Sequence, residues 1–259
     1  MAETLWGGVA QAYARSFEGL CAGAVPTMLG GVSAGSRVLD VGSGTGSLMA
    51  AAYDIGLEVT GVEPDPEMAA LAAARGAGGV VVAGLPELPV ADGSFDVVLA
   101  NFVLNHVDDP RLGVRELARV AAPGGIVRAT IWPGQPPPQA GLWGEALDLA
   151  GAVRPELPRL PEHLDFERSV GGFAALFVGC ELAVTEARTV AWQWSVDPDD
   201  LLAGMSAVGN FGVTWRAQTP AVQERIAEAY AQLVAPLLVS GRLEFPVECV
   251  LVEAVAADR

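Results

Sequence analysis

The 259-residue sequence contains no lysine, so all 15 cationic side chains are arginine. That absence removes a P-loop phosphate lysine, a Schiff-base amine and a Tyr/Lys hydride-transfer pair. Cations of any kind are few, with 15 set against 31 acidic residues for a net charge of −16. A phosphate-tracking face needs clustered cations, so nucleic acid is excluded as a partner. Histidine occurs only as His106 and His163, and cysteine only as Cys21, Cys180 and Cys249. The three cysteines are far apart and flanked by apolar residues, which fits buried free thiols better than a zinc cluster or a disulfide framework. No ligand set with metal spacing appears elsewhere, so no metal is expected. Asp197-Pro198-Asp199-Asp200 reads as a helix cap with an acidic first turn. No apolar run approaches the length of a membrane span. The early Glu3, with no basic start before an apolar run, argues against a leader. The expectation is a cytoplasmic protein with no membrane partner.

Apolar residues make up 51% of the chain, enough to bury a full core. Between Arg37 and Trp132, short β-rich runs alternate with alanine-rich stretches, the pattern of βαβ units in a parallel sheet. Strands are expected at 37–41, 57–62, 79–83, 95–100 and 126–132. Helices are expected at 47–53, 66–75 and 110–120, with Pro110 in the first turn after Asp108 and Asp109. Pro123-Gly124-Gly125 is expected to end the last of these helices and turn into the fifth strand. Residues 2–30 read as helices lying before the sheet. After Trp132, Pro133-Gly134 and Pro136-Pro137-Pro138 mark a stiff connector and a boundary. Beyond it lie a strand at 184–196, a helix at 223–234 and a final strand at 245–254.

These features predict an α/β fold: a Rossmann-like, mostly parallel sheet with an antiparallel edge and an inserted cap. The core would comprise 1–132, 182–196 and 241–259. The cap or substrate-covering region would comprise 133–181 and 197–240.

The first strand runs into Gly42-Ser43-Gly44-Thr45-Gly46-Ser47 and then a helix, a loop whose backbone can approach a ligand closely. Glu63 ends the second strand about twenty residues on, where a carboxylate can accept from both hydroxyls of a ribose. An adenosine-containing ligand follows. A dinucleotide fingerprint would place glycine at position 47, where this chain has Ser47. Its glycines fall at 42, 44 and 46 after Asp40.

That spacing resembles the first motif of class I S-adenosylmethionine (SAM)-dependent methyltransferases. The likeness extends through Leu85-Pro86-Glu87-Leu88-Pro89-Val90 and Asp92-Gly93-Ser94-Phe95-Asp96-Val97-Val98-Leu99 to Asn101-Phe102-Val103-Leu104-Asn105-His106-Val107. With Leu117-Ala118-Arg119-Val120-Ala121-Ala122-Pro123-Gly124-Gly125 it covers about 37–132 and is similar to the UbiE-like small-molecule branch. The resemblance implies SAM as cofactor, with Asp40, Gly42, Ser43, Gly44 and Gly46 in the loop and Glu63 on the ribose. It implies Pro64, Asp65 and Met68 beside the adenine, Leu85 and Pro86 on its far side, and Asn101 and Phe102 at the methionine end. Gly84 departs from the family, which often has an acidic residue there for the adenine amino group. Tyr13 and Phe17 resemble residues that cover the cofactor carboxylate, and equally fit ordinary packing one helical turn apart.

The implied reaction is methyl transfer to an O, N or C atom of a small organic molecule such as a specialised metabolite. Rate would come mainly from in-line alignment. His106 is the candidate base, although it fits better a loop residue bonded to the backbone or to Asp108. His163, beside Glu162 and Asp165, reads as exposed. Trp143, Phe166, Phe173, Phe177, Trp192, Trp194, Phe211 and Trp215 could line an acceptor pocket or simply form core. An NAD-dependent oxidoreductase and a SAM-binding protein without methyl transfer remain as alternatives.

Overall fold

The computed structural model describes residues 6–157 and 159–257; Glu3 lies outside them. Seven strands form one sheet in the order β3-β2-β1-β4-β5-β7-β6. They are β1 (Arg37–Val41), β2 (Glu58–Glu63), β3 (Gly79–Val82), β4 (Phe95–Asn101), β5 (Ala121–Ile131), β6 (Ala183–Val196) and β7 (Leu243–Val255). β1 to β5 run parallel, and β7 pairs antiparallel with both β5 and β6. The antiparallel edge expected from the sequence is present.

The parallel strands β1, β2, β4 and β5 are largely buried on both faces, which is why they read as near-continuous apolar runs, whereas the edge strand β3 is mostly exposed. Their side chains alternate between two cores. Leu39, Val98, Ala100, Val127 and Val252 face one side. Val38, Val97, Leu99 and Leu251 face the other. On that second side lie short helices α1 (Ala10–Arg15), α2 (Phe17–Ala22) and α3 (Val25–Leu29), followed by α4 (Ser47–Asp54) and α5 (Pro66–Ala74). Helix α3 is tied down by Arg128 of β5, which donates to the carbonyls of Met28 (2.9 Å) and Gly30 (2.6 Å) and pairs with Glu253 at 2.6 Å.

The first side is covered by α6 (Pro110–Val120) and α8 (Val170–Val178). Phe173 and Phe177 of α8 are fully buried there with Leu117, Val127 and Ile131. Helix α8 therefore lies on the sheet, although the sequence groups it with 133–181. A third core joins α7 (Pro138–Leu149), α9 (Pro198–Ala207), α10 (Gly209–Arg216) and α11 (Pro220–Val234) to the long antiparallel β6–β7 pair. No described helix is long and apolar enough to cross a membrane.

Proline starts five of these helices, and aspartate side chains cap three: Asp65 on α5, Asp109 on α6 and Asp197 on α9. Asp197-Pro198-Asp199-Asp200 is thus the cap the sequence suggested. Most strand boundaries fall within two residues of expectation, and the largest difference is at β5. It begins at Ala121, five residues earlier than expected, because Phe95 pairs with Ala121 before Val97 pairs with Ile126. Pro123-Gly124-Gly125 loops out between those rungs with Gly124 left-handed, so the turn interrupts the ladder instead of preceding it.

Candidate active site

β1 is paired with β2 on one side and β4 on the other, so the strand order reverses between β1 and β4. Open α/β sheets bind ligands at the carboxyl ends of strands at such a switch point. Both the 42–47 loop and Asn101-Phe102 emerge there. The loop turns at once: the amides of Gly42 and Ser43 donate to the Val62 carbonyl at 2.7 and 3.0 Å, and Gly46 donates to Ser43 at 2.9 Å. Gly46 has φ +88°, and a Cβ on it would lie 2.9 Å from the Ala72 backbone of α5. Its glycine is demanded by conformation and by packing against a helix. Gly44 is the more open position, where an added Cβ would meet only the Tyr13 ring at 3.7 Å.

Glu63 and Asp40 are both buried within this loop and are treated differently. Glu63 accepts from the Gly44 amide (2.8 Å) through one carboxylate oxygen and from Asp65 (2.9 Å) through the other. Burial raises its pKa while those two amides oppose the rise. Asp40 has no such compensation. One of its oxygens is buried without a hydrogen-bond partner, as are the hydroxyls of Ser43 and Thr45. Burial, and then the charge of Glu63, push the Asp40 carboxyl up to about 8.

At the end of β4, Asn101 donates to the Cys21 carbonyl (3.2 Å) and accepts from Thr130 (2.6 Å), joining the sheet edge to α2. Phe102 follows with φ +61°, an uncommon conformation for a bulky residue, and both Thr130 oxygens accept from its amide. Its ring stacks on Trp132 at 3.8 Å, and Trp192 completes the group at 6.4 Å from each. Asn105 holds the Trp132 amide at 3.1 Å. Thr130, Trp132 and Asn105 escaped the sequence reading. A fully buried threonine at the end of an apolar strand was the available signal for the first.

The residues expected beside the adenine are placed as follows. Gly84 packs on Pro64: a Cβ there would come within 3.1 Å of the Pro64 ring, which gives a steric reason for the missing acidic residue. The Leu85 side chain turns into the core beside Gly113 of α6. Met68 is buried in the third core, its amide held at 2.8 Å by the Asp65 cap. Tyr13 and Phe17 prove to sit on separate helices, divided at Ser16. Tyr13 faces Gly44, whereas Phe17 stacks on Phe211 at 6.0 Å in the third core.

His106 lies in the loop after β4, its amide donating to Val103 at 2.8 Å. Its ring is shut in edge-on beneath Trp6, with centroids 5.0 Å apart. Burial, and then the charge of Arg168, push its pKa down to about 4, so the imidazole is neutral at physiological pH. His163 is exposed, as expected. Phe173 and Phe177 pack from α8 onto the sheet, whereas Trp143 meets Phe211 at 6.4 Å and Trp215 at 6.1 Å in the third core. Among the described residues, no group of three or more metal-ligating side chains occurs.

Residues 39–129 match a family described as a methyltransferase domain. An uncharacterized methyltransferase of Mycobacterium sp. (strain JLS) is 50% identical over 104 residues, covering 39% of this chain and 41% of that one. The chain thus spans about two fifths of the length of the curated relatives it matches. Among solved structures, the YcgJ protein of Bacillus subtilis has a TM-score of 0.55 at 20% identity, covering 93% of this chain and 99% of its own. The [4+2]-cyclase SpnF is similar with a TM-score of 0.51 at 18% identity, covering 96% and 80%. At these identities the structural likeness speaks for the fold alone.

Proposed function

We propose, from the premise that residues 39–129 form a class I SAM-dependent methyltransferase domain, that this chain transfers the methyl group of SAM to an oxygen, nitrogen or carbon atom of a small organic molecule. The observation that carries the reading is the polar content of the switch-point loop. Asp40, Ser43 and Thr45 bury oxygens that no protein group satisfies, beside a Glu63 carboxylate fixed by two amides. Buried polar groups ordinarily have partners. A ligand with two cationic centres and a ribose diol, as SAM has, suits this donor and acceptor set.

Bound SAM supplies an electrophilic methyl group on sulfur. The chain's part is positional. Glu63 retains free lone pairs for ribose hydroxyls, the Gly42–Gly46 backbone permits close approach, and Tyr13 closes over Gly44. Asn101 and the strained Phe102 set the methionine end and the line along which an acceptor must arrive. His106, neutral and next to that line, is the group available to take a proton if the acceptor carries one. The acidic surface repels polyanions, which favours a small acceptor.

Calorimetry against SAM and NAD, followed by mass spectrometry of products from methyl-labelled SAM in a host extract, tests the reading. SAM binding with label in a small product supports it. Preference for NAD would move the chain to the oxidoreductases, and SAM binding without S-adenosylhomocysteine formation would leave a binding protein.

A further inference from the structure

Away from the loop, two buried polar atoms are also without partners, and they share one helix. Gln139 and Trp143 lie four residues apart in α7 and so on one face of it. They are 2% and 3% exposed, and neither Gln139 Oε1 nor Trp143 Nε1 has a hydrogen-bond partner. Their surroundings are apolar, for Trp143 belongs to a core that contains Phe211 and Trp215. The same core reaches Tyr13 over the glycine loop and Trp132 beside Phe102. A third unpartnered atom, Trp192 Nε1, has a local cause, since that indole is pressed against Gly23. No such cause accounts for the pair on α7. Leaving a buried acceptor and a buried donor unsatisfied on one helix face costs the folded chain stability. An all-apolar helix face would avoid that cost.

We propose that Gln139 and Trp143 form the polar anchor of the acceptor site, and that the acceptor is an uncharged, hydroxylated aromatic molecule. A single hydroxyl satisfies both atoms at once, donating to Gln139 Oε1 and accepting from Trp143 Nε1. The ring bearing it replaces the contacts that Trp143 now makes with Phe211 and Trp215. Gln139 and Trp143 carry no charge themselves, which selects against carboxylates and ammonium ions because either would be desolvated there without a counter-charge. The inference rests on the methyltransferase reading only in naming the bound molecule as the methyl acceptor.

The test uses two near-isosteric probes, 2-naphthol and 2-methylnaphthalene, in equilibrium dialysis with the full chain, and SAM calorimetry on the same samples. We expect 2-naphthol to bind at least about tenfold more tightly than 2-methylnaphthalene. Gln139→Leu and Trp143→Phe should each remove most of that preference and leave SAM affinity unchanged. Without probe, both variants should melt at a higher temperature than the parent, because each removes an unsatisfied buried atom. Equal binding of the two probes, including no binding of either, overturns the proposal. So does a lowered melting temperature in both variants, which would mark the pair as structural. If SAM fails to bind while the hydroxyl preference persists, the methyltransferase reading falls and the anchor stands.

Discussion

The cofactor half and the acceptor half of this molecule both bury polar atoms that lack partners, but they arrive at them by different routes. Asp40, Ser43 and Thr45 lie within six residues of one strand-to-loop junction, and the backbone itself shapes their surroundings. Gln139 and Trp143 occupy a helix whose neighbours come from segments tens of residues away, through Phe211, Trp215 and the antiparallel β6–β7 pair. A site made by backbone conformation is encoded where it stands. One made by converging side chains is encoded in every element that contributes.

If that contrast is right, a residue's energetic role follows the layer it packs in and not its position along the chain. Phe173 is the sharpest case. It falls after the proline-rich connector but is fully buried against the sheet. Phe173→Ala should cost about 3–5 kcal/mol in urea unfolding. Trp215→Ala, at a half-buried cap position, should cost clearly less. Equal losses would erase the distinction between the layers.

The same contrast explains what could be read in advance. Strands β1 to β4 declared themselves by apolar runs between glycine and proline punctuation, and the sheet's antiparallel edge by two late alternating stretches. The loop, Glu63 and Asn101 were legible because each stands at a strand end within a contiguous pattern. Phe173 and Phe177 were counted with the cap because a phenylalanine on a helix does not say which layer receives it. Thr130, Trp132, Trp6 and Gln139 matter only through neighbours far away in sequence: Asn101, Phe102 and His106 for the first three, and an apolar core for the last.

His106 stands where the two halves meet, so its replacement tests whether the acceptor side depends on it. For an acceptor that must lose a proton, His106→Ala should lower kcat by at least about a hundredfold and leave SAM affinity unchanged. With the pKa down near 4, the pH profile of kcat should show no step near the ordinary histidine value. Unchanged turnover would remove His106 from the chemistry.

Glu63→Gln probes the cofactor half directly. Glutamine has one acceptor oxygen where Glu63 uses two, so either Gly44 or Asp65 loses its partner. SAM affinity should fall by about 10- to 100-fold, as for a lost charge-assisted hydrogen bond. Binding within error of the parent would mean that the loop, and not the carboxylate, holds the ribose.

The pH response of Asp40 tests the loop's electrostatics. Folding raises its pKa from about 3.9 in the unfolded chain to about 8. The folded state therefore binds the proton more tightly than the unfolded state. Asp40's contribution to stability is complete below about pH 4, declines between pH 4 and 8, and is flat above. Glu63 is the charged neighbour that adds to the rise, and its own raised pKa acts in the same direction. Asp40→Asn should flatten that slope. A cationic ligand reverses the preference by favouring the carboxylate, so SAM binding at pH 7 should release a proton. It should also tighten by up to about tenfold per pH unit until about pH 8. Calorimetry in phosphate and Tris buffers, whose ionisation enthalpies differ, counts that proton. Identical heats in the two buffers would mean that Asp40 keeps its proton in the complex, leaving the cationic end of the ligand to be met by Glu63 and the loop carbonyls.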